Sequence, residues 1–148
     1  MYKRFLTLAA VTALIALLLA GCGKSDESAV QLDPSNPVSL TVWHYYNGAQ
    51  QTAFDELVSE FNATEGKEKG IYVEGYTQGS VGELEKAVTA AVRDEVGAQA
   101  MPDIFSTYAD TAYAMQQQGK LADLSQFFSA EELSEYVDAY IQEGYFHD

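Results

Sequence analysis

The feature that most constrains the fold of this 148-residue chain is an alternation of strand-like and helix-like segments after residue 38. Three short segments rich in β-branched and aromatic residues predict strands at 39–46, 71–76 and 104–108. Helix-like stretches separate them. Strands joined by a crossover of that length pair in parallel, with right-handed connections. The sequence therefore predicts an α/β fold built on a parallel sheet.

Apolar residues spaced three and four apart predict the helices. Ser80 and Ser129 each precede a glutamate by three residues, the spacing of a capping box at a helix start. Asp110 or Thr111 is expected to cap the helix that follows the third strand. Three helix faces should be apolar: Phe54, Leu57, Val58 and Phe61; Leu84, Val88, Ala91 and Val92; and Leu133, Tyr136, Val137, Tyr140 and Ile141.

The N-terminus has the pattern of an export signal. Lys3 and Arg4 precede an uncharged apolar run at 5–20, which is short for a membrane-spanning helix. The residues that follow, Leu-Ala-Gly-Cys at 19–22, resemble the lipobox of bacterial lipoproteins. This resemblance implies a signal peptide at 1–21, lipid on Cys22, and anchoring at the outer face of the cytoplasmic membrane. The alternatives are an ordinary signal peptide with a chance cysteine, or an uncleaved anchor.

A polar segment with two prolines follows the signal and predicts a lipidated flexible tether at 22–38. The folded part is then expected at 39–148. Without Lys3 and Arg4, 6 basic residues stand against 22 acidic ones, a net charge of −16. Such a charge repels phosphate backbones, which argues against a nucleic-acid partner and leaves neutral solutes as suitable ones.

Ligands of parallel α/β sheets bind beyond the carboxyl ends of the strands, so the loops at those ends are the candidate site. Aromatic rings, amides, hydroxyls and carboxylates in these loops suit a sugar, which has apolar ring faces and a rim of hydroxyls. The candidate ligand-binding residues are Tyr45, Tyr46, Asn47, Gln50, Ser80, Thr107, Tyr108 and Asp110.

Several candidates also have a structural interpretation, and Asn47 is suited to the turn before Gly48. Strand alternation sends about half of the aromatic side chains into the core, which is the favoured interpretation for Trp43. Tyr45 and Tyr46 are equally compatible with core and site. Ser80 and Asp110 are suited to capping a helix as well as to contacting a ligand.

The sequence contains no recognisable catalytic or metal-binding pattern. Cys22 is the sole cysteine, and the two histidines, His44 and His147, have no ligand-like spacing. There is no nucleophile-elbow motif. We therefore expect no enzyme activity, no metal and no cofactor.

Taken together, the lipobox, the strand SLTVWHYYNGAQ, the helix AFDELVSEFNA and the segment MPDIFSTYADTAYAMQQQGKLADL resemble family 1 extracellular solute-binding proteins. These are receptors of carbohydrate-type ABC importers. The resemblance implies an incomplete, periplasmic-binding-protein-like (type 2) parallel-sheet lobe, from the N-terminal portion of a two-lobed protein. It also implies a sugar or oligosaccharide as the solute and ABC permease subunits as partners. The alternatives are a lipid-anchored glycoside hydrolase and a surface lipoprotein without a transport role.

Overall fold

The computed structural model describes residues 31–146. Every element below lies in one compact unit, Leu32–Asp148. The predicted signal peptide, Cys22 and the first part of the predicted tether lie outside the described residues. Among the described residues, no helix is both long enough and apolar enough to cross a bilayer.

Strands and helices alternate along the second unit. In chain order they are β1 (Val38–His44), α1 (Gly48–Ala63), α2 (Glu65–Lys69), β2 (Ile71–Thr77), α3 (Val81–Val92), β3 (Ile104–Phe105), α4 (Ala109–Gln116), a 3-10 turn (Leu124–Gln126), α5 (Ala130–Leu133) and α6 (Asp138–Glu143).

The three strands form one parallel sheet in the order β2-β1-β3, which confirms the predicted α/β fold. β1 pairs with β2 along its full length, from Val38–Ile71 to His44–Thr77. β3 pairs with β1 only at Val42–Ile104 and Trp43–Phe105. The predicted third strand, 104–108, was therefore too long, because the chain leaves the sheet to begin α4 at Ala109.

Helices cover both faces of the sheet. Successive strand residues point to opposite faces. Trp43 is 3% exposed and joins a core that α3 and α4 supply from one side. His44 faces the other way, where its ring lies 4.6 Å from that of Phe54 in α1. The core of Trp43 comprises Leu84, Val88, Ala91, Val92 and Met115.

Gly75 lets α1 approach the sheet closely. A Cβ atom at Gly75 would lie 2.8 Å from Cε1 of Phe54, so a larger residue would displace the Phe54 ring from its position on the sheet. The far end of α1 is held by Asn62, whose side-chain amide donates to the carbonyl of Val73 and accepts from its amide, both at 2.8 Å. The helix ends at Ala63, one residue after Asn62.

Both predicted capping boxes are present. Ser80 and Glu83 cap α3 reciprocally, and Ser129 and Glu132 do the same for α5. The prediction that Asp110 or Thr111 caps the fourth helix was wrong, since the helix begins at Ala109 with Tyr108 at the N-cap position.

Two predicted apolar faces differ from the structure. Leu57 points to solvent and is 64% exposed. The single helix predicted after Ser129 is two short helices, because Val137 adopts an extended conformation between them. Tyr136, Val137 and Tyr140 are exposed. Helices of this length gain most of their stability from packing, and an exposed stripe provides little of it.

The segment before β1 contains a turn in which the Asn36 amide donates to the Asp33 carbonyl at 2.9 Å. This turn lies against Gly70, where a Cβ atom would be 2.5 Å from the Asp33 carbonyl. Gly70 has a φ of +75°, a conformation that favours glycine. The Val38 amide then donates to the Gly70 carbonyl at 2.9 Å and starts the sheet. A flexible tether at 22–38 stays a prediction.

Candidate functional site

The carboxyl ends of the three strands meet at one edge of the sheet. Beyond the strand pairing itself, the amide of Gln78 donates to the carbonyl of His44 at 2.8 Å, and the amide of Ser106 donates to that of Trp43 at 3.0 Å. These bonds extend the pairing of β1 with both neighbours past the ends of β2 and β3. The loops that follow the strands therefore start side by side, as the parallel topology predicts.

Three tyrosines cluster at this edge, and we refer to Tyr45, Tyr46 and Tyr108 as the tyrosine trio. The rings of Tyr45 and Tyr46 lie 5.5 Å apart at an angle of 56°. Tyr108, which is 56% exposed, lies beside Tyr45. Its phenol is the main cause that raises the pKa of Tyr45, with burial as a further contribution. The structure thus brings together tyrosines that are more than 60 residues apart in sequence.

Tyr45 connects the trio to the core. Its ring is half-buried and packs against the cluster around Trp43. Tyr45 therefore belongs to both the core and the candidate site. Its ring packs against the core and also contacts Tyr46 and Tyr108.

Tyr46 is held through both its ring and its backbone. Its ring is stacked on His44, with centroids 5.0 Å apart and an angle of 21°, and lies 5.4 Å from the ring of Phe54. Its amide donates to Nδ1 of His44 at 3.2 Å. Its carbonyl accepts from the hydroxyl of Thr77 at 3.1 Å. The conformation of this loop therefore depends on β1, α1 and β2 together.

His44 is the buried polar residue beneath the trio, with 1% exposure. Burial lowers its pKa, because a charged imidazole is poorly solvated there, and the carboxylate of Asp55 opposes that effect. The sequence assigned this histidine no role in metal binding. It missed the contact with Tyr46, because no pattern shows which way a strand-end side chain points relative to the next residue's amide.

Three further predicted site residues, Asn47, Gln50 and Thr107, lie in or next to the loops at this edge. Asn47 occupies the N-cap position of α1 without a side-chain cap hydrogen bond, and Gln50 lies in the first turn of that helix. Both are exposed, as is Thr107. These three side chains border the edge that carries the trio, and their contact with a ligand stays a prediction.

Ser80 and Asp110 are engaged in local hydrogen bonds. The hydroxyl of Ser80 donates to Oε2 of Glu83 at 2.7 Å and accepts from the Glu83 amide at 3.3 Å. The capping interpretation of Ser80 is therefore confirmed. Asp110 accepts from the amide of Thr111 at 2.8 Å in the first turn of α4. A negative charge at this end of a helix also interacts favourably with the helix dipole.

Two cavities lie away from the trio. One, of about 220 Å³, lies between α3 and α4, and Arg93, Asp110 and Met115 are among the residues that line it. The other, of about 450 Å³, lies between α5 and α6 and includes Leu133 and Ile141. The sequence predicted neither, because each depends on how two helices pack. In the part of the chain that the structure describes, no three His, Cys, Asp or Glu side chains are grouped so that they could hold a metal ion.

No protein-family model and no curated protein matches the chain. Among solved structures, it is similar to the crystal structure of the cyclic alpha-maltosyl-1,6-maltose binding protein from Arthrobacter globiformis. The TM-score is 0.55 and the sequence identity 27%, over 70% of this chain and 25% of that one. This chain thus corresponds to about a quarter of that protein's length.

This likeness confirms the predicted fold class, a periplasmic-binding-protein-like α/β lobe with a parallel sheet. It supports, at a coarse level, the resemblance to sugar-binding solute-binding proteins. The similar protein is named as a binding protein and not as an enzyme, in agreement with the prediction of a non-catalytic chain. The described part of the chain therefore has the fold of a solute-binding protein lobe.

Proposed function

We propose that this chain is the sugar-contacting lobe of an extracellular solute-binding receptor that delivers an oligosaccharide to an ABC permease. The observation that carries the proposal is the tyrosine trio at the carboxyl edge of a parallel sheet. The likeness to a protein that binds a cyclic maltosyl-maltose supports an oligosaccharide as the solute.

The chemistry of the trio suits a sugar. Tyrosine rings provide flat apolar faces for the C–H face of a pyranose, and their phenols exchange hydrogen bonds with its hydroxyls. Tyr45 and Tyr46 are fixed from below by the core and by His44, so little conformational freedom is lost when a sugar stacks on them. Asn47, Gln50 and Thr107 add exposed polar groups for the hydroxyl rim.

The receptor mechanism that we propose is hinged closure. A solute on the trio would be covered by a second lobe, and contacts from both lobes would stabilise the closed form that the permease recognises. The lipid on Cys22 would keep the receptor at the outer face of the cytoplasmic membrane, close to its permease.

Solute binding can be tested by NMR titration of the ¹⁵N-labelled full chain in detergent micelles. The probes are maltotetraose and cyclic α-maltosyl-1,6-maltose, with trialanine as a peptide control. Because the trio lies on an open surface, we expect weak binding, with a Kd of about 1 mM or higher. Shift changes should be confined to 45–50 and 106–110, and trialanine should cause none.

Variants make the test specific. Tyr108→Ala and Tyr46→Ala should each weaken binding about threefold to tenfold, since each removes one stacking face. Tyr140→Ala is the matched control, because Tyr140 is a tyrosine with 74% exposure on α6, away from the trio. Equal weakening by all three variants, or shift changes spread over α5 and α6, would refute the proposed site.

The anchor is tested separately. Cells expressing the wild-type chain or Cys22→Ser are labelled with a fatty acid and separated into membrane and soluble fractions. We expect label and membrane association for wild type and neither for Cys22→Ser. Lipid labelling that survives the substitution would contradict anchoring at Cys22.

A further inference from the structure

The imidazole of His44 and the backbone of Tyr46 form a contact that a proton can break. Nδ1 of His44 accepts from the Tyr46 amide at 3.2 Å, so this nitrogen carries no hydrogen. A protonated imidazole has N–H groups at both ring nitrogens and accepts no hydrogen bond. Protonation of His44 would therefore set two donors, its own N–H and the Tyr46 amide, against each other.

The surroundings of His44 favour the neutral ring. Its side chain is almost fully buried, between the rings of Tyr46 and Phe54. On the other side is β2, where a Cβ atom at Gly75 would be 3.6 Å from Nε2.

The ionisable groups around this face are few. β2 presents Val73, Gly75 and Thr77 on the face of His44, and β3 presents Ile104, none of which titrates. On α1, Asp55 is the acid whose charge acts on the imidazole, and it is exposed to solvent.

We propose that His44 is a positioning residue that holds Tyr46 in the tyrosine trio only while its imidazole is neutral, so that the trio loosens and solute binding weakens on acidification. The claim that neutral His44 holds Tyr46 in place depends only on the contacts of His44. The claim that solute binding weakens in acid, the binding part, rests on the proposed function.

The pH range follows from the direction of the pKa. Burial lowers the pKa of His44 from its usual value of 6.5, so the unfolded chain takes up a proton at a higher pH than the folded chain. The stability that the neutral ring contributes is complete above about pH 6.5 and falls as the pH drops towards the lower, folded-state pKa. The loop of the folded chain should respond around the lowered pKa, where the folded chain itself takes up the proton.

The first experiment needs no solute. In the ¹⁵N,¹³C-labelled full chain, the Tyr46 amide and the His44 Cε1 signals are followed between about pH 7.5 and about pH 5. We expect both to move with one midpoint below 6.5, while the amide of Val73, which is bonded to Asn62, stays constant. His147→Asn removes the other histidine of the chain and should not alter the result.

Two variants separate the acceptor from the general fold. His44→Asn keeps a side-chain acceptor near the Tyr46 amide but does not titrate, so the amide should show no midpoint in this range. Thr77→Val removes the hydroxyl that binds the Tyr46 carbonyl and leaves His44 in place, so the midpoint should persist. A Tyr46 amide that stays constant while His44 titrates would overturn the proposal, as would an unchanged midpoint in His44→Asn.

The second experiment uses maltotetraose as the probe. Its Kd should rise about threefold to tenfold from about pH 7.5 to about pH 5 in the wild-type chain and remain constant in His44→Asn. Wild-type binding that does not change with pH would overturn the binding part. If maltotetraose fails to bind at any pH while Tyr46 and His44 titrate together, the proposed function fails and the positioning role of His44 is supported.

Discussion

The carboxylate of Asp103 joins the start of β3 to β1 through Thr41. Its Oδ2 atom accepts from the amide of Thr41 at 2.8 Å and from its hydroxyl at 2.9 Å, and the Thr41 hydroxyl accepts from the Asp103 amide at 3.1 Å. Asp103 is the residue just before β3, which pairs with β1 at only two positions. Its contact with Thr41 therefore adds hydrogen bonds to a strand that has few of its own. Because β3 leads directly to Tyr108, the same contact helps to place one member of the trio.

Replacing Asp103 should therefore destabilise the fold. We expect Asp103→Ala to lower the free energy of unfolding by about 1–2 kcal/mol, because the Thr41 amide and hydroxyl lose a charged acceptor at an exposed site. Urea denaturation of the full chain measures this. Glu56→Ala, at an exposed acid of α1, should change the free energy by less than about 0.5 kcal/mol.

The effect of Asp103 should depend on pH. The hydrogen bonds from Thr41, first from its amide and then from its hydroxyl, lower the pKa of Asp103 from 3.8. The ionised carboxylate therefore contributes stability that is complete above about pH 3.8 and is lost as the pH falls through the lowered, folded-state pKa. The stability difference between wild type and Asp103→Ala should shrink over this range. A constant difference down to about pH 2 would contradict the assignment.

The side chain of Asn62 should be a second sensitive point. Asn62→Ala removes both hydrogen bonds to Val73 and leaves a part-buried amide and carbonyl of β2 without that partner. We expect a loss of about 2 kcal/mol in the free energy of unfolding. Ser59→Ala, on the exposed side of the same helix, is the control and should have little effect. The Val73 amide should exchange its hydrogen faster in Asn62→Ala but not in Ser59→Ala, which would show that the lost stability comes from the hydrogen bonds between Asn62 and Val73.

Leu84 and Leu57 should respond very differently to truncation. Leu84 is 2% exposed in the core of α3, so Leu84→Ala should cost about 2–5 kcal/mol through lost burial and a cavity. Leu57 points to solvent, so Leu57→Ala should change stability by about 0.5 kcal/mol or less. Chemical denaturation of both variants tests this. Similar losses in the two would mean that α1 buries a different face from the one described.

The contact between Tyr45 and Tyr108 predicts a change in titration. Because the neighbouring phenol of Tyr108 is the main cause that raises the pKa of Tyr45, Tyr108→Phe should bring that pKa back towards 10.0. The ¹³Cζ shift of Tyr45 in a ¹³C-tyrosine-labelled chain reports it. Tyr140→Phe, on α6, should leave the titration of Tyr45 unchanged.

Much of the architecture was predictable from short-range patterns. Strand alternation placed β1 and β2 to within two residues, and serine–glutamate spacing located the starts of α3 and α5. A capping box is made by groups three residues apart, so its geometry is largely independent of the rest of the fold. The parallel sheet followed from the length of the connections.

The site was only partly predictable. Parallel topology correctly brought the loops after the strands to one edge, because that consequence depends on strand direction alone. Apart from the local capping box of Ser80, the partners of the side chains within that edge were not predictable. His44 supports Tyr46, and Tyr108 lies beside Tyr45, as set by contacts between segments that only the tertiary fold brings together.

The amino-acid sequence by itself determined which segments are strands or helices, where two helices begin, and that the sheet is parallel. These properties depend on backbone preferences and on hydrogen bonds between near neighbours. Only the tertiary structure decided that Leu57 is exposed, that β3 is two residues long, that the chain breaks at Val137, and that three tyrosines meet. Those outcomes depend on contacts between residues far apart in the chain, whose free energy is set by the surface that each segment finds to pack against.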